Sequence, residues 1–325
     1  MVLLMKCKLV ILAIVFLGAI VSLHQVETQG EKPLIVTTTS VISSIVEDIA
    51  GDLVDVEYIV PPSLCPGHYD IRPSDVELVR SADLILKHGM GGEWWFSNLI
   101  DTANQSGDLF VPIVSVGADW NTPDGAKLVY ENVANAIMEY LGIDVSDRLE
   151  SCLGAIEDMK SELLKIADEN NFKDIPVVVM LWQKPFVEFL GFKIVAVLKP
   201  PEKLSESDIM EIEDNATKYG AKLVIDNMHS GTSVGERIAE DVDAVHVVLI
   251  NFPGVVPEAK NLTEMMMYNA KLLEDAVEEY EYRVSIQRLE REVRILTYIS
   301  IALGIILVFE TLLIVVMVKR GGKVE

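Results

Sequence analysis

The chain has 325 residues, and its 50 acidic and 27 basic residues give a formal net charge of −23 at pH 7. Such an acidic surface argues against binding to nucleic acid and against broad contact with anionic lipid. The three cysteines are too few for a disulfide framework, although a single Cys65–Cys152 bridge is compatible with an oxidising compartment.

The first 30 residues have the pattern of an export signal. Two lysines precede an apolar run from residue 9 to residue 21, which is the order of a charged n-region and an h-region. The run is short for a membrane span, and no clear cleavage site follows it. Residues 1–30 are therefore predicted to be a signal peptide or a signal anchor.

Residues 31–143 alternate between strand and helix patterns. The apolar runs "KPLIVTTTS", "DVEYIVPP", "DLILKHG" and "LFVPIVSV" are typical of strands. The segments between them, "VISSIVEDIAG", "RPSDVELVRSA" and "GEWWFSNLIDTA", are typical of helices. This alternation at short spacing predicts an α/β lobe with a mostly parallel sheet.

A long helix is predicted in the middle of the chain. The segment "DVSDRLESCLGAIEDMKSELLKIADENN" has an apolar period near 3.6 and a charged outer face. Residues 144–170 are therefore assigned to a linker helix. Strands and helices alternate again over residues 171–281, which predicts a second α/β lobe. The fold class is α/β, with two Rossmann-like lobes joined by the long helix.

The last predicted element is a helix that continues into an apolar segment. Residues 282–295 form its stalk, and residues 296–318 are about 23 residues with one charge, enough to span a bilayer core. Basic residues in the 319–325 tail predict that this tail is cytoplasmic. An intramembrane carboxylate, Glu310, points either to a contact with a partner helix or to a protonated side chain near one leaflet.

The segment "LCPGHYDIRPSD" carries a cysteine and a histidine on one predicted turn. Cys65 and His68 have C-x-x-H spacing between prolines and a glycine. A thiolate and an imidazole are both accepted by zinc in a tetrahedral site. The pattern indicates either a metal site or an ordinary loop.

Four stretches in the same order carry a resemblance to a known family. They are "IVTTTSVISSIVEDIAGDLVDVEYIVPP", "GHYDIRPSDVELVRSADLILKHGMGGEWW", "TPDGAKLVYENVANAI" and "EMMMYNAKLL". With these stretches the chain resembles the solute-binding proteins of zinc- and manganese-type ABC transporters. The resemblance implies two lobes joined by one rigid helix, with a metal held in the cleft between them.

The resemblance assigns one metal ligand directly and leaves others unmatched. His68 falls where the family has its first-lobe histidine. Ala118, two residues before Trp120, stands where the family usually has a second histidine. The second-lobe ligand position falls near Trp182 and Gln183, and Asn251 falls near the expected last aspartate. We expect Trp120, Trp182, Gln183 and Asn251 to line the cleft.

A second-lobe partner for the turn is predicted in "VIDNMHSGTS". Asp226 and His229 follow a predicted strand, where the ligand-binding loops of an α/β sheet gather. The family has an acidic residue near Asp226, whereas His229 is equally compatible with a solvent-facing loop. The predicted metal ligands are therefore His68, Cys65, His229 and Asp226, with zinc favoured as the bound metal.

The leading hypothesis is a membrane-tethered solute-binding protein that captures a divalent transition metal outside the cell for an ABC permease. One alternative keeps the fold but binds a metal chelate or a small organic solute. Another is a surface sensor or adhesion module with a vestigial cleft. An enzyme is not predicted, because the sequence has no nucleophile elbow, phosphate loop or H-E-x-x-H motif.

Overall fold

The structure is a computed structural model that describes residues 31–321, with side chains through residue 318. The signal predicted in residues 1–30 lies outside the described residues, as do the side chains of the 319–325 tail.

The first lobe is a four-stranded sheet in which every neighbouring pair of strands is parallel. Its strand order is β2-β1-β3-β4. The strands are β1 (Leu34–Thr39), β2 (Asp55–Val60), β3 (Leu84–Lys87) and β4 (Ile113–Ser115). The helices that cover the sheet are α1 (Ser40–Ala50), α2 (Pro73–Ser81), α3 (Phe96–Ala103) and α4 (Pro123–Leu141).

The second lobe repeats this arrangement with strand order β6-β5-β7-β8, again with parallel pairs only. Its strands are β5 (Pro176–Met180), β6 (Lys193–Leu198), β7 (Leu223–Asn227) and β8 (Val245–Leu249). Its shorter helices are α6 (Lys184–Phe189), α7 (Glu206–Tyr219) and α8 (Ser233–Asp241). The prediction of two parallel-sheet α/β lobes is confirmed.

The lobes are joined by α5 (Ser146–Glu169), the predicted linker helix. Gly142 ends α4 in the left-handed conformation, with φ of 67°, and so separates α4 from α5. A final helix, α9 (Leu262–Gly321), packs its first turns against α1, α5 and β8 and then runs on alone. Two helices therefore hold the lobes together on one side of the molecule.

One hydrophobic core is continuous through both lobes. It contains side chains of α1 and α4 from the first lobe, of β5 and β7 from the second, and of α5 and α9. Met265 and Met266 of α9 are buried in it. Smaller clusters fill the other face of each sheet. Helices on both faces explain why the central strands are apolar on both sides.

The described part of α9 includes a stretch long and apolar enough to cross a membrane, judged by length and composition alone. From Tyr282 onward its side chains are exposed. Within the described residues, Cys65 and Cys152 are free thiols and form no disulfide with each other.

Candidate functional site

The site is a cavity of about 640 Å³ between the two lobes. It lies at the carboxyl ends of the parallel strands, because the segments after β2, β3, β5, β7 and β8 all contribute to its wall. Ligands of open α/β sheets bind at this end, where the connections diverge. The cavity is lined by three tryptophans and a phenylalanine, namely Trp94, Trp120, Trp182 and Phe252, and by polar side chains that include Cys65, His68, Asp119, Asn121, Glu202, Lys203, Asn227, His229 and Asn251.

The first-lobe wall is the turn that carries Cys65 and His68. A short 3-10 helix, Pro66–His68, follows Cys65, and the His68 N–H donates to the Cys65 carbonyl at 3.0 Å. Two indole N–H groups bond to the backbone of the turn. Trp95 donates to the Pro66 carbonyl at 2.9 Å, and Trp94 donates to the Gly67 carbonyl at 3.1 Å. The prolines and these two bonds fix the backbone, and they leave Cys65 half-buried and His68 exposed on the cavity wall.

The second-lobe wall contains His229, which follows β7. Its Nε2 lies 2.8 Å from the Pro62 carbonyl of the first lobe. A carbonyl only accepts, so Nε2 carries the proton of the neutral ring and Nδ1 has the lone pair. Nδ1 is buried and has no hydrogen-bond partner among the described residues. Burial lowers the pKa of His229, and the Pro62 carbonyl offsets part of that effect.

Asp226 lies on β7 but does not line the cavity. Its carboxylate is buried, with one oxygen 3.3 Å from His246 Nε2 and the other accepting the Asn227 N–H at 2.9 Å. His246 lies on the neighbouring strand β8. The structure thus brings Cys65, His68 and His229 to one cavity. Asp226 lies within β7, next to His246 of β8, and does not reach the cavity wall.

The predicted cleft-lining residues form the contact between the lobes. The Trp120 indole N–H donates to the Asn251 carbonyl at 2.8 Å, across the lobe boundary. The Gln183 amide donates to the Asn251 side-chain oxygen. Trp120, Trp182 and Asn251 line the cavity, whereas Gln183 is fully buried behind Asn251 and supports it.

Two side chains of the site were not predicted. Phe252 lies next to Asn251, with its ring 5.9 Å from Trp120 and 4.8 Å from His229. His88 is buried with its ring 4.5 Å from Trp120. Burial lowers the pKa of His88 to about 3. The only signal in the sequence was their position near the carboxyl end of a strand, since His88 lies at the end of the predicted strand "DLILKHG" and Phe252 lies three residues beyond β8.

Among the side chains that the structure describes, no group of three or more His, Cys, Asp or Glu lies close enough together to hold a metal ion. The donors that reach the cavity from the two lobes therefore do not make a preformed metal centre. The cavity has the thiol of Cys65 and the imidazole of His68 on its first-lobe wall and the imidazole of His229 on its second-lobe wall. Aromatic side chains line the space between them.

Comparison with known proteins assigns the fold and the family. Residues 35–276 match the family model described as ZnuA, zinc-uptake complex component A periplasmic. The chain belongs to this family. The match extends over both lobes, and it confirms the resemblance inferred from the four sequence stretches. ZnuA-family proteins are substrate-binding components, which agrees with the expectation that the chain is not an enzyme.

Curated relatives match over a shorter region. The manganese ABC transporter substrate-binding lipoprotein PsaA of Streptococcus pneumoniae is 36% identical over 121 residues, which is 34% of this chain and 39% of PsaA. The metal ABC transporter substrate-binding lipoprotein SsaB of Streptococcus sanguinis is 35% identical over 116 residues, 34% of this chain and 38% of SsaB. The chain thus matches about two fifths of the length of these relatives.

Solved structures share the whole two-lobed fold. The Mn-bound periplasmic metal binding protein from Candidatus Liberibacter asiaticus superposes with a TM-score of 0.66 at 17% identity, over 76% of this chain and 100% of that one. The periplasmic zinc binding protein TroA from Treponema pallidum gives a TM-score of 0.64 at 16% identity, over 76% and 99%. At these identities the likeness establishes the fold alone.

Proposed function

We propose that the chain is the substrate-binding component of a metal ABC transporter, which captures a divalent transition metal outside the cell and delivers it to a membrane permease. Membership of the ZnuA family across both lobes is the observation that carries this proposal. The named relatives are metal ABC transporter components, and the named structures are metal-binding proteins.

Within the cavity, the Cys65–His68 turn is the proposed first contact of the metal. Both residues face the cavity from a backbone fixed by the Trp94 and Trp95 indoles. His229 Nδ1 has no hydrogen-bond partner in the part of the chain that the structure describes, and it is the proposed contact from the second lobe. Asp226 reaches the metal only if its contact with His246 is exchanged, so we assign it the supporting role of orienting β7.

Zinc is the proposed metal, although relatives are named for manganese. Manganese favours carboxylate and carbonyl ligands, whereas thiolate and imidazole suit zinc. The cavity wall at the first lobe offers a sulfur and an imidazole. The predicted donor types therefore favour zinc over manganese at this site.

We also propose that the chain is tethered to the membrane by residues 296–318, with the globular part extracellular or periplasmic. The proposed organisation is a first lobe at 31–143, the linker at 144–170, a second lobe at 171–281 and a stalk at 282–295. A tether keeps the substrate-binding lobes near the permease and raises their local concentration. The length and apolar composition of the helix support this assignment.

A second candidate cargo is a metal chelate or a small organic solute. The cavity volume of about 640 Å³ is in the range of small-molecule sites, far above the needs of a bare ion. Its aromatic side chains give flat apolar surface for such a molecule. A chelator would also supply the donors that the described side chains do not gather around one point.

The test is calorimetric titration of the full chain in detergent with zinc, manganese and copper(I). We expect one-to-one zinc binding that is lost in His68→Ala and Cys65→Ala. Cys152→Ala is the matched control, because Cys152 is a half-buried thiol outside the cavity wall, and it should bind as the parent does. Absence of binding by all three metals would contradict free-ion capture. Binding of zinc only when citrate or histidine is added would support the chelate instead.

A further inference from the structure

The stalk of α9 carries an apolar stripe that nothing in the described chain covers. Five apolar side chains, four in the stalk and one at the first position of the apolar segment, are spaced alternately by four and three residues. They are Tyr282, Ile286, Leu289, Val293 and Leu296. Each of these side chains is between 38% and 68% exposed. A 4-3 spacing places all five on one side of the helix, which is the pattern of a coiled-coil seam.

The residue types on the stripe favour two strands if the helices run in parallel. Ile286 and Val293 take the a positions of the heptad, and Leu289 and Leu296 take the d positions. Among parallel coiled coils, β-branched residues at a with leucine at d favour two strands. A parallel partner of the stripe is therefore one further helix.

The stripe continues into the apolar segment without a break in register. Leu303 and Glu310 fall on d positions one and two heptads beyond Leu296, Leu307 falls on an a position, and the a position between Leu296 and Leu303 is Ser300. The heptad frame thus spans about four repeats from Tyr282 to Glu310, with apolar side chains at every a and d position except Ser300 and Glu310, and about three to four such repeats indicate a coiled coil. It also places the intramembrane carboxylate on the seam instead of on the lipid-facing side.

One pair of charged residues beside the seam is complementary between two copies of the chain. Glu278 is at a g position and Arg283 at the following e position, the two places that face each other across a parallel pair. Arg283 also contacts Glu279 of its own helix. The second lobe touches the stalk through Gln287, which donates to Asp243 at 3.2 Å. Gln287 is a b residue, about 100° round the helix from Ile286, so the lobe leaves the seam open.

We propose that the stalk and the apolar segment mediate parallel homodimerisation of the chain, with Glu310 of each copy on the shared seam. The proposal rests on the proposed membrane tether for two points. Two copies anchored by the same helix end necessarily run in the same direction, and Glu310 lies at membrane depth only if the apolar segment spans the bilayer. Pairing would present two metal-binding cavities side by side at one membrane site. A carboxylate pair on the seam would share a proton within the pair instead of meeting lipid.

The test is disulfide trapping in the purified full chain, reconstituted in lipid without metal or permease. Leu289→Cys puts a thiol on the seam, and Val284→Cys puts one at an f position on the opposite side of the same exposed helix. Mild oxidation should give roughly tenfold more covalent dimer from Leu289→Cys than from Val284→Cys, because the paired stalks raise the local thiol concentration. The parent chain gives the background from its native cysteines.

A second pair of variants distinguishes a stable dimer from a covalent dimer that forms by random collision of two chains. Leu289→Glu should convert the dimer to a monomer in light scattering of the detergent-solubilised chain, and Val284→Glu should not. Equal trapping at the two positions, or a monomeric parent chain, would overturn the proposal. Because no metal is present, this result is independent of whether the cavity binds zinc.

Discussion

His88 is a histidine whose ionisation the fold suppresses. Both ring nitrogens are buried without a hydrogen-bond partner among the described residues, and the ring lies against Trp120. Within the same part of the chain no acidic side chain bonds to the ring, and the Glu93 carboxylate accepts the backbone N–H groups of His88 and Gly89 instead. Burial alone therefore lowers the pKa of His88 to about 3.

This depressed pKa predicts a pH-dependent loss of stability. Between pH 6.5 and about 3 the unfolded chain binds a proton at His88 that the folded chain does not, so the free energy of unfolding falls as the pH falls. One such proton corresponds to about 1.4 kcal/mol per pH unit. His88→Phe keeps a ring against Trp120 and removes this proton. Denaturant unfolding at several pH values should show a shallower decline for His88→Phe, and identical slopes in both proteins would contradict the assignment.

Two glycines in or next to the linker helix α5 have different backbone conformations. Gly142 has φ of 67° at the end of α4, and nothing lies within 4 Å of a Cβ placed there. Gly154 lies in the exposed middle of α5, where a Cβ would also meet nothing. The two glycines thus differ in backbone conformation and not in available space.

We predict opposite effects for alanine at these two positions. Gly142→Ala should lower the free energy of unfolding by about 1 kcal/mol, because alanine disfavours the left-handed conformation. Gly154→Ala should raise it by up to about 1 kcal/mol, because alanine is the better helix former. Thermal or denaturant unfolding of both variants measures this. Destabilisation of similar size at both positions would mean that space, not backbone conformation, decides.

The order and type of the elements were predictable because each is encoded locally. The buried strands β1, β3, β5 and β7 are short apolar runs, and α5 has a clear helical period. Both signals act within one segment, so no knowledge of distant contacts was needed. The same holds for the Cys65–His68 turn, which prolines and glycine define.

The walls of the site were less predictable because they depend on distant pairs. Trp120 contacts Asn251, which is 131 residues away in the chain. The pairing of Asp226 with His246 depends on β7 and β8 being neighbours in register. The order of the strands cannot be deduced from either segment alone. Asp226 was therefore predicted to lie in the cleft, whereas in the structure its carboxylate lies against His246 of β8.

At the scale of the whole molecule, the two lobes are connected asymmetrically. A continuous apolar core through α5 and α9 joins them on one side, whereas polar contacts around Trp120, Asn121 and His229 join them at the cavity. Opening the core side would expose buried apolar surface, at about 25 cal/mol per Å². Rearrangement on cargo binding should therefore be confined to the cavity side, where hydrogen bonds can be exchanged with water.

Metal binding through Cys65 and His68 can be tested by X-ray absorption at the zinc edge, which reports the ligand atoms directly. On the zinc-loaded full chain we expect one sulfur at about 2.3 Å and nitrogen at about 2.0–2.1 Å from the metal, with the sulfur lost in Cys65→Ser. Oxygen ligands alone, or a sulfur that persists in Cys65→Ser, would contradict metal binding by this turn.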